Sequence, residues 1–95
     1  MAMPIEVSRN DAAHCYEAEV EGYRAVAEYR VEGDRVVFTH TFVPPELRGR
    51  GIGQALVRSA LEETKRQGRR VVLQCTYVAM FVLRNPEFQP LLVDR

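Results

Sequence analysis

Cysteine, lysine and long apolar runs are what this sequence has least of. Two cysteines in 95 residues are too few for the disulfide framework that supports small secreted domains. No apolar stretch approaches the roughly 18–20 residues that a membrane span needs. The N-terminal stretch has no basic-then-apolar signal pattern either, so a soluble, cytoplasmic protein is expected. Neither charge is in excess: thirteen basic and thirteen acidic residues give a formal net charge of zero. A nucleic-acid binder ordinarily shows a clear basic excess, and the balance speaks weakly against one. So short a chain has no room for two independent cores, and residues 1–95 are expected to form a single compact domain. At 46% hydrophobic and 27% charged residues, the chain has the apolar content of a folded globule rather than a disordered tail.

The zero total conceals two halves. Residues 1–34 hold eight acids and three arginines, whereas residues 35–70 hold eight bases and three acids. Twelve of the thirteen bases are Arg, with Lys65 the exception. A solvated surface explains such a count, but a planar Arg fork also suits an anion such as phosphate. The motif inside the basic half has to decide.

Hydrophobic spacing divides the chain into strands first and helices later. Ile5 and Val7 suggest a short leading strand. Tyr16, Ala18 and Val20 alternate with Glu17, Glu19 and Glu21, the period of two of a half-buried strand. Glu21-Gly22 and Glu32-Gly33-Asp34 read as tight turns around a strand from Tyr23 to Val31. Arg35 to Val43 is apolar on both faces, as a central strand should be, and His40 is expected to share a face with Val36, Phe38 and Phe42. Pro44-Pro45 ends it. Ile52, Ala55, Leu56, Ala60 and Leu61 then recur at helical spacing up to a stop at Gly68. A short strand at Val71–Leu73 and a mostly apolar helix from Tyr77 to Leu83 follow, closed by Asn85-Pro86. The expected class is α+β: an antiparallel strand meander followed by helix–strand–helix.

Between the central strand and the first helix stands Arg48-Gly49-Arg50-Gly51-Ile52-Gly53. Glycines let the backbone approach a ligand, and the helix start offers unpaired N–H groups and a positive dipole end. Arg48 and Arg50 add charge, so a phosphate or pyrophosphate is the expected guest. The loop is not a P-loop, because no Gly-Lys-Ser/Thr follows. Its glycines also miss the GxGxxG spacing of a dinucleotide fold.

These residues resemble the GNAT N-acetyltransferase superfamily. Arg48, Gly51 and Gly53 match its pyrophosphate-loop pattern Arg/Gln-x-x-Gly-x-Gly/Ala. The segments His40-Thr41-Phe42-Val43-Pro44, Cys75-Thr76-Tyr77-Val78 and Arg84-Asn85-Pro86-Glu87-Phe88 are similar to a branch of very short, single-domain members with a Cys after the fifth strand. The resemblance implies a minimal GNAT fold and an acetyl-CoA-dependent transfer to an amine, carried by a small molecule or a protein. Backbone groups from Gly49 through Gly51, Ile52 and Gly53 to Gln54, with Arg48 and Arg50, would hold the pyrophosphate of the CoA. The thioester would lie beside the Phe42–Val43 backbone.

For the chemistry, the resemblance points to Cys75 as acid or nucleophile and His40 as base or hydrogen-bonding partner. Tyr77 stands close to, and a turn before, the acid of many larger members, and it competes with Cys75. Asn85 is carried as a cofactor contact, although relatives often have His there. No metal ligands are expected. The alternative function is a CoA-binding module without catalysis.

Overall fold

Alternation and turn chemistry account for the first half of the chain. The computed structural model describes residues 5–93. Strands β1 (Ser8–Asn10), β2 (Cys15–Val20), β3 (Tyr23–Glu32) and β4 (Arg35–Phe42) form an antiparallel meander. The β2–β3 hairpin turns through Glu21 and Gly22, both at positive φ (53° and 83°), the geometry whose twist matches that of its strands. Ile5 and Val7, expected in a leading strand, instead pack against the core just before β1. On β2, Tyr16 and Ala18 enter the core between sheet and helices, while Cys15, Glu17 and Glu19 lie on the opposite face, where Cys15 is buried. Helix α1 (Ile52–Arg66) crosses to β5 (Arg70–Leu73), which lies parallel to β4, and α2 (Thr76–Arg84) follows. The sheet order is β1-β2-β3-β4-β5.

One irregularity in β4 changes which side chains reach the site. Glu28 pairs with His40 and Tyr29 with Phe38, so Thr39 is an extra residue without a partner. Such a bulge inverts the alternation beyond it. Val36 and Phe38 are buried against the helices, whereas the exposed His40 and Phe42 lie on the opposite face, paired with Glu28 and the buried Val26. The shared face expected for His40 with Val36 and Phe38 is therefore broken by the bulge, and Thr41 takes the inward direction.

Both helices cover one face of the sheet. Ile52, Leu56, Val57, Ala60 and Leu61 of α1 share a core with Val78, Phe81 and Val82 of α2, and Phe88 closes it from a 3-10 turn at Pro86–Leu91. Gly68 at φ 70° ends α1 as its sequence suggests. Beyond it the chain returns along β5, and Val93 donates a backbone bond to Val71 at its edge.

Candidate active site

Parallel pairing of β4 with β5 runs from Arg35/Arg70 to Phe38/Leu73 and closes with Gln74 N–H donating to the Phe38 carbonyl at 3.0 Å. From there the chain turns away into α2, with Cys75 at its N-cap. The end of β4, from His40 to Phe42, has β3 on one side and no strand on the other. A gap opens where the two strands part.

Helix α1 points its N-terminus into that gap. Gly51 caps it at φ 77°, a conformation that strains any residue with a Cβ. The first intrahelical backbone bond is Ala55 N–H to the Gly51 carbonyl, which leaves the N–H groups of Ile52, Gly53 and Gln54 without a partner inside the helix. No side chain caps this end and no acid stands in its first turn, so the positive end of the helix dipole is not neutralised locally. Gly53 is required by a neighbour rather than by φ. A Cβ there would overlap the Tyr77 hydroxyl, stand 2.9 Å from its Cζ and lie 3.2 Å from Val43 Cγ2.

The resulting cavity has a volume of about 590 Å³, within the range of small-molecule sites. Eight expected cofactor contacts line it, Phe42, Val43, Arg48, Gly49, Gly51, Ile52, Gly53 and Gln54, together with Tyr77. Arg48 is held at the mouth, its Nε donating to the Val43 carbonyl at 3.1 Å. Arg50 is not part of the lining, and its guanidinium lies 3.0 Å from Glu21 on the β2–β3 turn. Burial is the main influence pushing the Tyr77 phenol above its ordinary range, with Arg84 pulling the other way.

The chemical candidates are distributed around this cavity. Cys75 is buried and does not line it, but its Sγ lies 3.5 Å from Thr41 Oγ1, which does. Thr41 was missed by sequence reasoning, because the Thr39 bulge that turns it inward leaves no mark in an alternating Thr-His-Thr-Phe run. His40 stands across the sheet from the cavity, in register with Glu28. Asn85 borders a neighbouring groove, where its Oδ1 accepts from Arg58 at 2.9 Å and its Nδ2 donates to the Phe81 carbonyl at 2.8 Å. Both cysteines are free, and no cluster of metal-ligating side chains occurs among the described residues. No described helix is long and apolar enough to cross a membrane.

Comparisons with known proteins agree on one family. A family model described as GCN5-related N-acetyl-transferase matches residues 15–91. Protein NATD1 of Bos taurus is 35% identical over 86 residues, covering 87% of this chain and 76% of that protein. The N-acetyltransferase MJ1207 of Methanocaldococcus jannaschii is 58% identical over 31 residues, 33% of this chain and 14% of that protein. A GCN5-like protein of Staphylococcus aureus, solved by NMR, superposes with a TM-score of 0.73 at 19% identity, covering 95% of this chain and 89% of that one. At that identity the likeness speaks for the fold.

Proposed function

The chain belongs to the GCN5-related N-acetyltransferase family, and on that premise we propose that it transfers the acetyl group of acetyl-CoA to an amine, acting as one compact domain. The observation that carries this reading is the cavity between the parted end of β4 and the uncapped start of α1. Its donor set suits a pyrophosphate: three free backbone N–H groups, a positive helix end and the Arg48 guanidinium. When bound, acetyl-CoA supplies an activated acyl thioester.

The residues around it have separate tasks. The backbone at Phe42 and Val43 borders the strand end of the cavity, where an N–H can stabilise charge developing on the carbonyl oxygen. As the amine nitrogen bonds to the acyl carbon and the carbon–sulfur bond breaks, the amine loses a proton and the departing sulfur needs one. Cys75, beside Thr41 at the strand end, is the better placed donor to that sulfur, or a nucleophile that takes the acetyl first. Tyr77 holds its proton, but its hydroxyl rests on Gly53 at the phosphate end. His40, on the outward face, would serve an amine arriving from that side as its base.

Incubation with acetyl-CoA and a panel of small amines and peptides, read by thiol release and product mass, tests this. Acetylated product with stoichiometric CoA is expected. Binding of acetyl-CoA with no transfer to any acceptor would favour a binding module, and no binding by calorimetry would end the reading altogether.

A further inference from the structure

Cys75 is held just behind the cavity wall. It is 8% exposed and belongs to the shared core, and it is absent from the lining that Thr41, Phe42 and Val43 provide. Although it stands at the N-cap of α2, its side chain makes no cap bond to that helix. The thiol is engaged instead with Thr41, whose Oγ1 lies 3.5 Å from the sulfur where β4 and β5 part. Thr41 has no other side-chain hydrogen bond among the described residues. Its β-branch restricts χ1, so this hydroxyl stays in contact with the thiol at a residue that also forms the cavity wall.

A hydroxyl offers one donor and two lone pairs, so it can accept a proton from one neighbour while giving its own to another. A nucleophile must come within about 3–3.5 Å of the acyl carbon, which a thiol outside the lining does not do without displacing Thr41. A proton donor need only reach its acceptor, directly or through one intervening group. Tyr77, the competing acid, rests on Gly53 at the other end of the cavity. We propose that Thr41 is a relay that carries the Cys75 proton to the departing sulfur of coenzyme A; the inference rests on the acetyl-CoA reading above. As the amine nitrogen bonds to the acyl carbon and the carbon–sulfur bond breaks, Thr41 gives its hydroxyl proton to the sulfur and takes the thiol proton of Cys75. Cys75 is left as a thiolate. The proton lost by the amine passes to water, and Cys75 recovers one from water through Thr41 after the CoA thiol leaves, so the chain ends unchanged. Cys75 therefore never bonds to the acetyl group.

Thr41→Val keeps the shape and removes the hydroxyl, whereas Thr41→Ser keeps the hydroxyl. Raman spectroscopy on the whole chain without acetyl-CoA reads the hydrogen bond directly. The S–H stretching band that Cys75→Ala removes should move to higher frequency in Thr41→Val and hold its position in Thr41→Ser. In the amine-transfer assay Thr41→Val should lower kcat by about 10²-fold or more, with the calorimetric Kd for CoA within about threefold of wild type. Thr41→Val combined with Cys75→Ala should be no slower than the slower single variant, since a relay acts as one unit. Thr41→Ser should stay within about tenfold of wild type, and intact mass after acetyl-CoA alone should show no acetyl group on Cys75. An unchanged kcat or an unmoved band in Thr41→Val, losses that multiply in the double variant, or an acetylated Cys75 would each overturn the relay and leave the acetyl-CoA reading standing. A wild-type protein that transfers to no acceptor fails that reading itself, and this inference with it.

Discussion

A methyl group at Gly53 has nowhere to go unless the Tyr77 ring moves, because the Tyr77 hydroxyl overlaps the place a Cβ would take and Val43 Cγ2 lies 3.2 Å from it. Gly53→Ala should therefore displace Tyr77 into the cavity and raise the KM for acetyl-CoA by about tenfold or more, since small misplacements in a binding site are expensive. Adding Tyr77→Ala should recover part of that loss, a coupling that steady-state kinetics on the double-mutant cycle would read. Simple additivity of the two changes would show that they act independently. Cys75 calls for a different test, because a buried thiol in the core is often only a small hydrophobe. Cys75→Ala should lower kcat by about 10²–10⁴-fold, as loss of an acid does, while the calorimetric Kd for CoA stays within about threefold of wild type. An unchanged kcat would reduce Cys75 to core packing.

At the scale of elements, the Thr39 bulge decides which side chains of β4 reach the cavity. Deleting Thr39, the extra residue, should leave Phe38 opposite Tyr29 and His40 opposite Glu28 in an unbulged ladder, so Thr41 stays inward and the calorimetric Kd for CoA stays within about threefold of wild type. Loss of binding in a sheet that circular dichroism shows to be folded would mean that the bulge itself, and not the facing of Thr41, shapes the cavity. The hairpins and α1 were legible because their determinants are local: Glu21-Gly22 carries its turn, and Gly68 its helix stop. The glycine loop before α1 stood out for the same reason, since three glycines and two arginines sit within six residues. Thr39, His40, Thr41 and Phe42 alternate equally well in either direction, so the face of His40 could not be read and Thr41 was overlooked. The groove between α1 and α2 was hidden for another reason. Arg58 and Asn85 are far apart in sequence and meet only through the packing of two helices. The ion pair of Arg50 with Glu21 was not legible either, because the charge of Arg50 and its place in the loop give no sign of a distant hairpin.

For the molecule as a whole, the acidic strand half and the basic helix half are joined by few contacts that charge alone could hold. Arg9 reaches Glu63 at 3.1 Å and Arg50 reaches Glu21 at 3.0 Å, both among exposed groups whose pairs contribute little. Stability must come mainly from the shared core, and the core carries its own pH limit. Burial is the leading cause that pushes Tyr16, Tyr29 and the Cys15 thiol above their ordinary ranges. The Tyr16 and Tyr29 rings also lie 5.4 Å apart, where a Tyr29 phenolate would oppose ionisation of Tyr16. A group whose pKa is raised in the folded state keeps its proton there after the unfolded chain has lost it. Stability is then independent of that group below its unfolded pKa and falls as pH rises above it. Thermal midpoints should stay level on account of these groups up to about pH 8.5, decline first as unfolded Cys15 ionises and then more steeply near pH 10 as the tyrosines do. Tyr16→Phe should flatten the steeper part, because it removes one group that the unfolded chain can ionise and the core cannot. Melting curves by circular dichroism between pH 7 and 11 would show this, and a midpoint that holds constant to pH 11 would mean that the core does not hold these protons against solvent.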